Sequence, residues 1–155
     1  MNPGPIFIDA AAPSDVPALL ALERQCSPHP WTEGHFLSEM DATHRARTLV
    51  ARMPDLQGAV EVVGFCAYRL IVDELHVHNL ATRPDHRRRG LARRLLRTAF
   101  ETAERSGARW AMLEVRAGNE AARALYASEG FAVVASRPGY YVEPVEDALV
   151  LRRAL

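Results

Sequence analysis

The chain has 155 residues, of which 48% are apolar and 25% charged, and its 19 basic and 19 acidic residues leave a formal net charge of zero at pH 7. This is the composition of an ordinary soluble globular domain, and the balanced charge gives no overall field toward nucleic acid or a membrane surface. Every basic residue is an arginine, which excludes a Schiff-base lysine and a phosphate-loop lysine.

The opening "MNPGPIFIDA" lacks the charged start and long apolar run of a secretory leader, and "IFIDAA" within it reads as a first strand. Ser14 is placed to cap the helix "DVPALLALERQC", whose apolar residues recur at helical spacing. "SPHPW" breaks that helix, and Thr32 caps a second, "EGHFLSEM". The strand "RTLVARM" follows, then a turn at Pro54–Gly58 and the long strand "AVEVVGFCAYRLIV". "ELHVHNLAT" is a further strand and leads directly into "RRRGLARRLL".

From Gly90 the period changes, and Leu91, Leu95, Leu96, Ala99, Phe100 and Ala103 fall on one face of a helix that Gly107 closes. "RWAMLEVR" is a strand, Asn119 caps the helix "EAARALYASE", Gly130 ends it, and "FAVVASR" and "DALVLRR" are the last strands. No repeat or linker interrupts the pattern, so the expectation is one domain over residues 1–155, of α/β class, with helices on both faces of a mixed sheet. No stretch reaches the length of a membrane span, and Cys26 and Cys66 are too few for a disulfide framework. A cytoplasmic protein is expected.

A strand that enters a turn and opens a helix at Gly90 presents the unpaired N–H groups of the helix start to the turn. With the helix dipole they suit an anion, and Gly90 and the small Ala92 would let a phosphate approach the backbone. Arginines add planar forks for outlying phosphates. The plainer alternatives are a solvated helix face or an arginine patch for RNA; against RNA stand the balanced charge and the lack of interleaved aromatics.

Further on, Trp110, Met112, Glu114 and Arg116 alternate onto one strand face. A carboxylate beside Trp and Met suits a general base, whereas one beside arginines suits an ion pair. Tyr126 lies two helical turns after Asn119, on the same face, where it is either core packing or a phenol able to protonate a leaving thiolate. His76 and His78 alternate with Glu74, but two histidines and a glutamate lack a convincing fourth ligand, so no metal is expected.

"RRRGLA" resembles the Q/R-x-x-G-x-G/A signature of the Gcn5-related N-acetyltransferases (GNAT), with Arg87, Gly90 and Ala92 in the signature positions. Pro30-Trp31, "DELHVHNLAT", "LEVR", Asn119, "LY", "GF" and "YY…EDA" follow in the order of the ribosomal-protein-alanine N-acetyltransferases, the RimI-type branch. The resemblance spans most of the chain and implies the GNAT fold, with acetyl-CoA as the acetyl donor. It implies that Glu114 is the general base and Tyr126 the general acid. Leu80, Ala81 and Thr82 would pair with the pantetheine arm, Arg87, Arg88, Arg89, Gly90, Leu91, Ala92 and Arg93 would hold the pyrophosphate, and Asn119 would touch the coenzyme. Backbone N–H groups next to Ala81 would polarise the thioester carbonyl, and Glu33, Asp41, Tyr140 and Tyr141 are candidates for a peptide groove.

The implied acceptor is the N-terminal α-amine of a protein, an alanine-starting small-subunit ribosomal protein, with the enzyme a monomer or weak homodimer acting without nucleic acid or membrane. The alternative within the superfamily is a small-molecule amine or a protein lysine. An α-amine with a pKa near 7.8 is about 14% neutral at pH 7 against about 0.04% for lysine, a gap of roughly 3.5 kcal/mol.

Overall fold

The structure is a computed structural model that describes residues 4–40 and 45–155. Among these residues one seven-stranded sheet is built from β1 (Phe7–Ala10), β2 (Ala46–Pro54), β3 (Val60–Ile71), β4 (Glu74–Thr82), β5 (Trp110–Arg116), β6 (Ala132–Val142) and β7 (Val145–Ala154), in the spatial order β1-β2-β3-β4-β5-β7-β6. The helices are α1 (Val16–Cys26), α2 (Glu33–Ser38), α3 (Leu91–Arg105) and α4 (Glu120–Ser128). All neighbouring strands are antiparallel except β4 and β5, which are joined through α3 and run parallel.

The six residues assigned to the apolar face of α3 are all buried, against β2, β3, β4 and β5. Each leucine or phenylalanine among them contributes about 1.5–3 kcal/mol relative to exposure. Gly64 permits the close approach of this helix: a Cβ there would lie 3.1 Å from Ala81 O, 3.2 Å from Leu95 Cδ1 and 3.3 Å from Leu91 Cδ2. Tyr126 of α4 joins the same core, while α1 and Phe36 of α2 pack with Val50, Phe65 and Ala81 on the opposite face. Helices therefore cover both faces of the sheet, as the alternation of periods implied.

Two boundaries differ from the sequence expectation. Ser14 does not cap α1; it lies inside a short 3₁₀ turn, Pro13–Asp15, and α1 starts at Val16. Asp15 closes that turn by accepting the Ala12 N–H at 2.8 Å, and the two terminal nitrogens of Arg52 in β2 bind the same carboxylate at 2.7 and 2.8 Å and hold its pKa below the usual carboxylate range. The last hairpin is also longer than "FAVVASR" suggested, since β6 continues through Tyr140 and Tyr141 to Val142. Its pairing with β7 is interrupted between Arg137 and Tyr141, where Gly139 takes a positive φ and its N–H donates to Asp147 Oδ1.

The feature that positions the site is a split in the sheet. Parallel pairing of β4 with β5 runs from Glu74↔Trp110 to Val77↔Leu113 and goes no further, although β4 continues to Thr82 and β5 to Arg116. Where the pairing stops, β4 carries a bulge: Val77 faces Tyr68 and Asn79 faces Ala67, leaving His78 as the extra residue. Bulges bend a strand and re-aim side chains. Here the bend leaves a gap at the carboxyl ends of two parallel strands, the usual location for a ligand in an α/β sheet.

Candidate active site

Beyond the bulge, the N–H of Arg83 donates to Val63 O at 2.8 Å, which makes Arg83 and Val63 a hydrogen-bonded pair. Antiparallel pairs alternate, so Ala81 and Phe65 are the next bonded pair, and the backbone groups of Leu80 and Thr82 point away from β3 toward the gap. Thr82 O bears this out: it accepts from Cys26 Sγ and from Arg87 Nε, each at 3.4 Å. β4 thus offers a short free edge beside the gap.

After β4 the chain makes a 3₁₀ turn, Pro84–His86, and then places Arg88 at φ +62° and Gly90 at φ +75° before α3 begins. Left-handed residues are unusual outside glycine, and in series they turn successive N–H groups to one side as an anion-binding nest. The helical bonding starts with Arg94 N–H to Gly90 O at 3.0 Å, so the N–H groups of Leu91, Ala92 and Arg93 have no intrahelical acceptor. The need for glycine at position 90 is conformational: an added Cβ would meet no protein atom within 4 Å, but it would be strained at this φ.

This loop, the free edge of β4 and the start of α4 enclose a cavity of about 850 Å³. Leu80, Ala81, Thr82, Arg87, Arg88, Gly90, Leu91, Ala92, Arg93 and Asn119 all line it, together with Tyr126. Arg89 is exposed and lies off the cavity wall. Two of the arginine side chains are held by the protein itself. Arg87 braces Thr82 and Cys26, and Arg93 ties α3 to the end of α4, with Nε 2.6 Å from Glu129 Oε1 and a terminal nitrogen 2.9 Å from Ser128 Oγ.

Asn119 caps α4 by accepting the Ala122 N–H at 3.2 Å. Two turns on, Tyr126 is 8% exposed, with its ring edge-on to Phe131 at 5.7 Å. Burial pushes its phenol pKa well above the usual value, so it stays protonated. Packing and cavity lining are both true of this residue. The sequence reading misses Cys26 and His86 on the same wall; Cys26 is brought in from α1 by tertiary contact, whereas His86 belongs to the loop itself, between Thr82 and Arg87.

A second cavity, of about 560 Å³, opens beside the split and is lined by Glu114, His76, His78, Trp31, Arg137, Tyr140 and Tyr141 among others. Glu114 is the first residue of β5 beyond the last parallel pair, and its Oε1 lies 3.3 Å from a terminal nitrogen of Arg137. The ion-pair alternative is therefore realised, with the carboxylate still 30% exposed on the cavity. Tyr141 lies under the Arg116 guanidinium at 4.0 Å, and burial followed by the Glu114 charge pushes its phenol pKa up. The loop after α1 closes one side: Trp31 packs on Phe36 at 5.2 Å, and His29 Nε2 lies 2.7 Å from Glu143 O in the β6–β7 turn. Glu33 lines a different groove, along α1, and is removed from the peptide-groove candidates; Asp41 lies outside the described residues.

The histidines are each paired with one carboxylate. His76 Nε2 lies 2.8 Å from Glu74 Oε2, and His78 Nδ1 lies 3.0 Å from Glu39 Oε1. Among the described residues no group of three or more His, Cys, Asp or Glu side chains is placed to hold a metal ion, and no helix is long and apolar enough to cross a membrane.

Residues 16–131 match the acetyltransferase (GNAT) family. The [ribosomal protein bS18]-alanine N-acetyltransferase of Escherichia coli K12 is 32% identical over 146 residues, covering 93% of this chain and 94% of that protein. The N-alpha-acetyltransferase RimI of Mycobacterium tuberculosis is 32% identical over 155 residues, covering 96% and 92%. The crystal structure of the ribosomal-protein-S18-alanine N-acetyltransferase from Escherichia coli superposes with a TM-score of 0.85 at 30% identity, over 97% of this chain and 94% of that one. Split sheet, phosphate-loop geometry and these relatives lead to one conclusion: the chain belongs to the GNAT acetyltransferase family and is an acetyl-CoA-dependent N-acetyltransferase.

Proposed function

We propose that this chain acetylates the N-terminal α-amine of a protein, and that its acceptor is an alanine-starting ribosomal protein of the bS18 kind. The observation that carries this reading is the pair of cavities at one split, one walled by phosphate-loop backbone and the other by Glu114 and aromatic rings. The names of the Escherichia coli and Mycobacterium tuberculosis relatives support the α-amine as acceptor.

The residues present fit acetyl-CoA. The nest at Arg88 and Gly90 and the open N–H groups of α3 suit a pyrophosphate, and the free edge of β4 suits the amide groups of the pantetheine arm. Bound acetyl-CoA supplies a thioester that an amine attacks, with a thiol as leaving group. In this reading the N–H groups of Leu80 and Thr82, turned toward the gap, stabilise negative charge on the acetyl oxygen. Glu114 takes a proton from the acceptor amine, with Arg137 orienting its carboxylate. Tyr126, held protonated by burial, donates its proton toward the departing sulfur. Asn119 fixes the start of α4 and with it the place of Tyr126.

The test is a peptide panel followed by mass spectrometry: one alanine-terminal peptide with a free α-amine, the same peptide with the amine blocked, and the blocked peptide carrying an internal lysine. Acetylation of the first alone is expected. Acetylation of the lysine peptide at a comparable rate would overturn the reading.

A further inference from the structure

We propose that His78, held by Glu39, fixes one N–H bond of the acceptor amine while Glu114 fixes the other, so that the two banks of the split together aim the nitrogen lone pair. The inference rests on the α-amine reading above and adds a residue to it.

His78 and Glu114 occupy matching places. The last parallel pair is Val77↔Leu113, so these two are the first residues on each strand past the end of pairing. Both line the acceptor cavity. His78 is also the bulged residue of β4, and the bulge separates its direction from the simple alternation of its neighbours. The groups around it are Glu39 from the end of α2, Arg69 of β3 acting through Glu39 at 3.4 Å, His76 on its own strand, and Glu114, Arg137, Tyr140 and Tyr141 across the cavity.

The tautomer follows from the partner. Glu39 has a buried side chain, 8% exposed, and when ionised it can only accept, so the proton of a neutral His78 ring sits on Nδ1. Nε2 then carries the lone pair and is left for a ligand, with the side chain one-third exposed (34%). His76 is held the other way round. Its Nε2 is taken by Glu74, and it stands opposite Met112 within the paired part of the ladder.

A neutral primary amine has two N–H bonds and one lone pair. Two acceptors on opposite banks engage both bonds, and the lone pair is then the only direction left for attack. A secondary amine has one N–H and can satisfy only one bank.

The test compares an alanine-terminal peptide with its N-methylalanine counterpart on the wild-type protein and on His78→Leu, reading kcat/KM for each. His78→Leu is expected to lower the rate on the primary amine about 10-fold, the value of one hydrogen bond, and to leave the N-methyl peptide unchanged. Equal losses on both peptides, no loss on either, or faster transfer to the N-methyl peptide alone would overturn the proposal. Should His78→Leu not fold, His78→Ala gives the same comparison. Glu39 acts only through His78: Glu39→Ala is expected to shrink the primary-to-secondary preference as His78→Leu does, and Glu39→Gln, which keeps an acceptor oxygen, to restore it. Failure of the primary peptide to react with wild-type protein would sink the α-amine reading itself, a different result from a failed comparison.

Discussion

Tyr126 shows how one side chain serves both core and cavity. Its ring is part of the α3–α4 core while its position lines the cavity proposed for the coenzyme, so Tyr126→Phe removes a hydroxyl and nothing of the packing. Folding and acetyl-CoA affinity should change little, and transfer to an alanine-terminal peptide should slow about 10–1000-fold. An acyl donor with a more acidic thiol should partly restore the rate, because less help is then needed by the leaving sulfur. Glu114 differs, being ion-paired and on the open face of β5. Glu114→Gln should keep coenzyme binding and slow transfer about 100-fold or more near neutrality. Its defect should shrink as pH rises through the α-amine pKa, because the acceptor then loses its proton unaided. A loss equal at every pH, measured by steady-state kinetics, would make Glu114 a positioning residue.

At the scale of elements, α3 was fully legible in the sequence: six apolar residues at helical spacing, an opening glycine and a closing glycine fix its face and its ends. The α1 start was only partly legible: the turn before it closes locally, Asp15 accepting from Ala12 N–H at 2.8 Å, but the other partner of that carboxylate, Arg52, lies far along the chain. The bulge at His78 was equally hidden, since "ELHVHNLAT" alternates without any glycine or proline to mark an extra residue. The sequence alone calls for Gly90 to let a phosphate approach, and the structure adds a conformational need. The neighbourhood of Gly90 has room for a Cβ; its φ does not suit one. Gly90→Ala should therefore cost about 1–2 kcal/mol in thermal or denaturant unfolding, the usual penalty of a left-handed L residue. The same change should weaken acetyl-CoA binding in a calorimetric titration, as the loop relaxes and the nest loses its aim. Unchanged affinity would mean that the loop N–H groups do not hold the coenzyme.

Over the whole molecule, the lining of the cavity proposed for the coenzyme was largely legible because its loop is one continuous segment, from Leu80 to Arg93, and Asn119 and Tyr126 belong to one helix and its cap. The cavity proposed for the acceptor was legible only in part: Glu114, Tyr140 and Tyr141 were candidates from the sequence, but Trp31, His78 and Arg137 join them from the loop after α1 and from separate strands. The two cysteines report on this architecture from opposite positions. Cys66 is fully buried in β3 and its thiol is pushed up to about 12 by desolvation, whereas Cys26 is partly exposed and lines the coenzyme cavity. A thiol reagent should modify Cys26 alone in the native protein, Cys66 reacting only on unfolding, and acetyl-CoA should slow the Cys26 reaction. The proposed reaction has coenzyme and acceptor meet at the β4–β5 split, each in its own cavity. Its most direct measurement is the affinity of a conjugate joining the alanine α-nitrogen of an acceptor peptide through an acetyl bridge to the coenzyme sulfur, set against coenzyme A and the peptide alone. If the cavities meet there, the conjugate should bind at least about 100-fold more tightly than either part; a conjugate that binds no better than coenzyme A would contradict it.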